Sequence, residues 1–187
     1  MDKRPANRTH YTVSMTNEAA WIEQLRQGNE DSFADIFAAY RKTVFRTAYL
    51  IVGNTVEAED ILQQTFFQLW RWRTRVTRPI LPWLLKVTTN AALSFWRSKK
   101  ETTVPEDSLL LELPVNHYGA VEEKIFYRQV IDALYQLPRR QRAVCVLRLL
   151  HEFSEAETAT ILGCRPGTVR ATLFQAKERI RSTLGTE

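Results

Sequence analysis

The segment FSEAETATILGCRPGTVRATLFQAKERIR, residues 153–181, carries the side chains best suited to reading a nucleic acid. Ser154 and Glu157 stand at capping-box spacing, where a hydroxyl takes the N–H of the third helical residue and the carboxylate reaches back. Gly163 falls where a tight turn between two helices needs positive φ. A second helix opening at Pro166 would bury Val169 and Leu173 and leave Arg165, Thr168, Arg170, Thr172 and Gln175 on or near its outer face. This is helix-turn-helix logic, in which the second helix enters the major groove with its N-terminal residues at base edges. Arginine and glutamine can make paired bonds to guanine and adenine respectively. An αα-hairpin with a solvated face is the plainer alternative, but capping, turn glycine, spacing and basic charge agree on the DNA reader.

A second chemistry sits upstream. Residues 71–100 hold eight basic side chains and no acidic one, and Trp70, Trp72, Trp83 and Trp96 lie in or beside that stretch. Positive grooves with aromatic surfaces bind unstacked bases of single strands. Each tryptophan could equally be bundle core, and Trp83 is assigned there. Basic charge returns at 139–183, with nine basic against four acidic residues, after a block at 101–138 with two basic against seven acidic. Two sites for a polyanion follow naturally, although charge alone is compatible with two solvated helix faces.

Enzymatic readings find little support. His10, His117 and His151 are scattered without metal-ligand spacing. There is no nucleophile elbow and no Gly-rich phosphate loop. Glu57, Glu59 and Asp60 read as partners of a helix dipole. Cys145 and Cys164 suit neither a disulfide framework nor a metal site, and Cys145 reads as core. No cofactor is implied. With no apolar run of 18 residues and no signal-peptide core, no membrane insertion is expected and the cytoplasm is the expected compartment.

Helical periodicity runs through most of the chain, interrupted by only six glycines, so the expected fold is all-α: two small bundles joined by a flexible linker. The polar residues 1–14 read as a disordered tail; an internal start at Met15 and an extension ahead of it are both compatible with the sequence. Residues 15–100 form the first domain, with helices over Glu18–Gln27, from about Phe33 to Gly53, from Asn54 through Leu69, and from Ile80–Pro82 to about Lys100. The segment 101–119, with two prolines and several acids, reads as linker. Residues 120–187 form the second domain, with helices from Ala120 to Leu137, Arg139–His151, Glu155–Leu162 and Pro166 to about Thr183.

The helix-turn-helix alone would fit a repressor, an activator or a promoter-specificity subunit, and the N-terminal half arbitrates. VEAEDILQQTFFQLWRW at 56–72 resembles the stretch AEDxxQExFxxxW of extracytoplasmic-function sigma factors. RPILPWLLKVTTNAALSFWRSKK at 78–100 is similar to their PWLxxIAxNxxxDxxR stretch. Residues 134–183 resemble their C-terminal domain, with LPxxQRxVxxL followed by GTVxxxLxxAxxxLR. The resemblance covers nearly everything from Met15 onwards. A stand-alone regulator would leave the first bundle unexplained.

The resemblance implies a subunit that binds core RNA polymerase and directs it to promoters. Asp60, Gln63 and Gln64 would face the polymerase clamp, with Gln64 standing where the family usually has glutamate. Asn90 and the loop before its helix would help form a pocket for a flipped base of the −10 element, with Lys86, Arg97, Lys99 and Lys100 beside the DNA. Ser94 replaces an acidic residue, with a structural role expected. Arg165, Thr168, Arg170, Phe174 and Gln175 would read the −35 element, while Ala171 and Thr172 replace the usual serine and arginine. Arg139, Arg140 and Arg142 would suit the DNA backbone and the polymerase flap. An anti-sigma factor is a further expected partner.

Overall fold

The computed structural model describes residues 15–76, 79–98 and 121–185, and apolar residues three and four apart pull these described residues into eight α-helices. The tail at 1–14 and the linker at 101–119 lie outside the described residues. No strand occurs among those described.

Four helices build the first bundle: α1 (Met15–Arg26), α2 (Glu30–Val52), α3 (Thr55–Arg71) and α4 (Ile80–Ser98). Asn29 and Asn54 cap α2 and α3, their side-chain oxygens accepting the backbone N–H of Ser32 and Glu57. Their core joins Ile22, Leu25, Ile36, Tyr40, Val44, Leu62, Phe66, Leu69, Ile80 and Leu84. Helix α1 also fixes the segment ahead of α4. Arg26 Nη2 donates to the Val76 carbonyl at 2.7 Å, and the Ile80 N–H, an orphan donor at the start of α4, donates to Glu18 Oε1 at 2.7 Å. The Tyr40 hydroxyl donates to the other Glu18 oxygen at 3.1 Å.

The second bundle comprises α5 (Val121–Gln136), α6 (Arg139–Cys145), α7 (Glu155–Leu162) and α8 (Pro166–Leu184). The helix expected over Arg139–His151 does not run through: after Cys145 the chain widens into a π-helical turn, Val146–Leu150, closed by His151 N–H to the Val146 carbonyl. One turn of π-helix carries the same apolar residues as one of α-helix, so periodicity does not separate them. The turn ends at Glu152, a non-glycine residue at φ 54°, a left-handed conformation that costs about 1 kcal/mol.

The two bundles are packed together, which the linker reading did not anticipate. Leu85 of α4 is buried against Leu147, Phe153 and Ile161 of the second bundle. Tyr49, Ile51 and Ala58 share a core with Leu134, Leu137, Val146 and Ala176. Polar groups cross this seam as well. Arg142, 7% exposed, donates from Nη1 to the Ile51 carbonyl at 2.8 Å and from Nη2 to the Tyr135 carbonyl at 2.6 Å. The Tyr135 hydroxyl donates to the Tyr49 carbonyl at 3.2 Å, and Thr47 Oγ1 meets His151 Nε2 at 2.7 Å.

Burial, helped by the positive charge of Arg46, pushes the His151 imidazole from its ordinary 6.5 down to about 3. The unfolded chain then binds a proton that the folded chain refuses, so stability is complete above pH 6.5 and is lost as pH falls below it. Urea denaturation at pH 7 and pH 5 is expected to show a loss of roughly 1 kcal/mol per pH unit from this group. His151→Gln should remove that component; equal slopes for both proteins would exclude His151 as its source.

Candidate nucleic-acid interface

Helices α7 and α8 form the expected helix-turn-helix. The capping box is complete: Glu157 N–H donates to Ser154 Oγ at 3.2 Å, and Ser154 N–H donates to Glu157 Oε2 at 2.8 Å. Gly163 takes φ 62° at the turn, and its N–H reaches the Ala159 carbonyl. Pro166 opens α8 after Arg165, and no side chain caps that first turn. Val169 and Ala176 are fully buried beneath α8, with Val169 packed on Val144 and Ala159.

The outer face of α8 presents Arg165, Thr168, Arg170, Phe174 and Gln175, all exposed. Thr172 is half-buried. Phe174 is 65% exposed, an open setting for a phenyl ring. Gln175 is tethered, its Oε1 accepting from Gln141 Nε2 at 3.3 Å while Gln141 accepts from Arg179 Nη1 at 3.2 Å. Arg170 lies against Glu155 at the start of α7, with Nη2 to Oε2 at 2.8 Å and Nε to Oε1 at 3.1 Å. This hydrogen bond holds the Glu155 carboxyl below the usual carboxylate range and raises Arg170.

Between α3 and α4 lies an open pocket of about 500 Å³. Its walls come from Gln64, Gln68 and Trp72 on one side, Trp83, Lys86, Val87 and Asn90 on the other, with Arg75, Ala91 and Ser94 at its margins. Arg75 and Arg71 stack on the exposed Trp72 ring at 4.9 and 5.6 Å, and Arg73 lies 4.8 Å over Trp70. Such cation–π contacts hold positive charge beside aromatic faces. Two tryptophan assignments sharpen. Trp83 is half-buried on the first core and also lines the pocket, so it belongs in part to each. Trp70 packs edge-on against Phe33 at 5.5 Å between centroids and belongs to the core. Ser94, expected to be structural, stands exposed in the pocket wall, where the usual acid would have introduced negative charge.

Of the remaining −10 candidates, Lys86 and Asn90 are exposed and meet in this pocket. Lys99 and Lys100 lie outside the described residues, as does the side chain of Arg97. Arg142 needs correction. It was grouped with Arg139 and Arg140 as a surface cation, but it is buried in the seam, where burial lowers its pKa to about 10 and leaves it charged at neutral pH. Arg140 is exposed and Arg139 half-buried.

On α3, Asp60 and Gln63 are exposed on one stripe, while Gln64 turns towards the pocket. Two apolar residues missed by the sequence reading share the stripe: Val56 at 69% and Phe67 at 63% exposure. The signal was present, because adjacent Phe66 and Phe67 on a helix cannot both face one core.

Comparison with known proteins accounts for this combination. Residues 36–102 match the family described as Sigma-70 region 2, and residues 127–180 match Sigma-70, region 4. The chain is 30% identical over 167 residues to the RNA polymerase sigma factor CarQ of Myxococcus xanthus, covering 88% of this chain and 95% of that one. Against the ECF RNA polymerase sigma factor SigW of Bacillus subtilis it is 28% identical, with 87% and 94% covered. Among solved structures, CnrH in complex with the cytosolic domain of CnrY superposes with a TM-score of 0.67 at 18% identity, covering 91% of this chain and 99% of that one. The sigma factor RpoE of Bartonella quintana, in complex with the anti-sigma factor NepR, gives 0.65 at 19%, covering 83% and 98%. These two show the shared fold. The chain belongs to the sigma-70 family of RNA polymerase sigma factors, in its extracytoplasmic-function group, and its function is promoter-specific transcription initiation with RNA polymerase.

Ser154→Ala, which loses the cap of α7, is expected to cost about 1 kcal/mol in urea denaturation. Phe174→Ala, at an exposed position, should stay within about 0.5 kcal/mol of the parent. A larger loss for Phe174→Ala would mean that the ring supports the fold rather than standing free for a partner.

Proposed function

We propose that the chain reads promoters at two places, with α8 on the −35 element and the α3–α4 pocket on the −10 element, while the exposed stripe of α3 docks on the polymerase clamp. The observation that carries this is the coexistence of an exposed recognition helix and a separate tryptophan- and cation-lined pocket in one chain. On α8, Arg165 and Arg170 supply cations, Thr168 and Gln175 polar contacts, and Phe174 an apolar face suited to a thymine methyl group. In the pocket, Asn90 and Lys86 offer hydrogen bonds to an extruded base, and Trp72 or Trp83 a stacking surface. Arg97, Lys99 and Lys100, by their charge, are proposed for the DNA backbone. Asp60, Gln63, Val56 and Phe67 make the docking stripe, polar at its centre and apolar at its ends. The cytoplasm is the compartment this activity requires.

The packed arrangement sets a further condition. Elements about 25 base pairs apart are separated by roughly 85 Å at 3.4 Å per pair. A compact chain of 187 residues has a radius of gyration of about 16 Å. One closed body cannot reach both, so the seam opens when the polymerase and promoter are engaged. A linker of the length of 101–119 spans up to about 65 Å when extended, and tethering keeps the second reader at high effective concentration once the first is bound. An anti-sigma partner, as NepR is in the RpoE complex, would hold the chain away from polymerase.

Capture of core polymerase by the immobilised full chain, followed by 2-aminopurine fluorescence at the −10 element, separates the roles. Asp60→Arg and Phe67→Ala are expected to weaken capture by about tenfold or more, the effect of losing about 1.4 kcal/mol. Asn90→Ala should capture normally but lose most of the fluorescence rise that reports an unstacked base. Normal capture by both α3 variants would exclude that stripe as the docking surface, and a full fluorescence rise with Asn90→Ala would exclude the pocket.

A further inference from the structure

The ion pair between Arg170 and Glu155 joins the two helices of the helix-turn-helix on the face that carries the recognition residues. Its geometry is side-on: Nε lies 3.1 and 3.2 Å from the two carboxylate oxygens, and Nη2 lies 2.8 Å from Oε2. A guanidinium has five N–H donors. Glu155 occupies the one on Nε and the one on Nη2 that points the same way. The other Nη2 hydrogen and both on Nη1 face away from the carboxylate. That free end offers two parallel N–H groups, the pattern that matches O6 and N7 of guanine in the major groove. The Arg170 side chain is 75% exposed, so this end is open to a ligand.

Glu155 is itself well fixed. It is the first residue of α7, directly after the N-cap Ser154 and within the capping box that Ser154 makes with Glu157, where a helix N-terminus favours a carboxylate. Its side chain is 29% exposed, less than half as open as that of Arg170. The arginine is thus the mobile partner and the glutamate the post.

We infer that Glu155 is a positioning residue for base readout: it buttresses Arg170 so that the free guanidinium edge meets a guanine of the −35 element. This rests on the DNA reading of α8 given above. Two effects follow. A pre-ordered arginine loses less conformational freedom on docking. A carboxylate beside it also repels phosphate, so an engagement that satisfies only the DNA backbone is penalised and discrimination gains more than affinity. Glu155 and Arg170 then form one reading unit, although only Arg170 touches the base.

The test uses holoenzyme assembled from core polymerase and the full chain, with duplex promoters selected by the parent protein from a library randomised at the −35 element. The selected sequences should show a guanine preference that Arg170→Ala abolishes at one position. Glu155→Gln keeps the shape but removes the charge. It is expected to reduce guanine preference at that same position by about tenfold, to tighten binding to non-promoter DNA, and to steepen the dependence of log K on log salt by about one. The double variant should read like Arg170→Ala alone, because Glu155 acts through Arg170. Urea denaturation of Glu155→Gln should show only a small loss of stability against the parent, since an exposed ion pair and a charge at a helix N-terminus each contribute little. If Glu155→Gln leaves the base preference intact, or alters a position that Arg170→Ala does not, the pair is only a staple between helices and the inference fails. If the parent holoenzyme transcribes but enriches no −35 sequence, the DNA reading of α8 fails first and the buttress falls with it.

Discussion

One buried guanidinium ties the molecule together. Helices end with carbonyls that have no partner in the next turn, and the ends of α2 and α5 meet in the interior. Arg142 supplies donors to both, reaching Ile51 in the last turn of α2 and Tyr135 and Leu137 at the end of α5. Its charge also sits where two helix dipoles present their negative ends. Tyr135 adds its hydroxyl to the Tyr49 carbonyl and its ring to the face of Arg142, 4.8 Å from the guanidinium carbon. A buried charge is costly unless its hydrogen bonds are made, and here carbonyls at two helix ends serve Nη1 and Nη2, while the buried Nε has no hydrogen-bond partner. Lysine, a compact point charge, lacks the planar fork whose two terminal nitrogens reach the carbonyls of separate helices.

The functional surfaces follow from what this seam uses up. The inward faces of α4 and α7 are spent on one another, through Leu85 with Leu147, Phe153 and Ile161, and those of α2 and α6 through Ile51 and Val52 with Ala143 and Cys145. What remains outward is the stripe of α3, the α3–α4 pocket and the face of α8. The closed seam therefore leaves each surface proposed for a partner uncovered, and its opening is what allows them to move apart. A contact of this kind, apolar but threaded with hydrogen bonds to backbone carbonyls, separates only where other interactions compensate.

Local chemistry was legible in the sequence, and long-range chemistry was not. The capping box of Ser154 and Glu157, the left-handed turn at Gly163 and the start of α8 at Pro166 all involve residues a few positions apart, so their spacing announces them. Phe174 and Arg170 fall on the outer face by the same 3.6-residue arithmetic. The contacts between Arg142 and Ile51 and between Thr47 and His151 join residues 91 and 104 positions apart. Nothing in the spacing of either segment encodes that meeting, and beside Arg139 and Arg140 nothing in the sequence marks Arg142 as the buried one of the three. Trp83 and Ser94 were hard to place for a different reason: a residue at the edge of a pocket is half core and half wall. Val56 and Phe67 were overlooked because the polar motif drew attention to the residues between them.

The central claim is that this chain confers promoter choice on RNA polymerase. It is tested most directly by transcription in vitro from a library of randomised promoters, with core polymerase alone and with the full chain added. The account requires start sites that appear only with the chain and share two sequence elements at a fixed separation. Transcripts independent of the chain, accompanied by tight binding of the isolated protein to duplex DNA, would contradict it and make the helix-turn-helix a regulator in its own right.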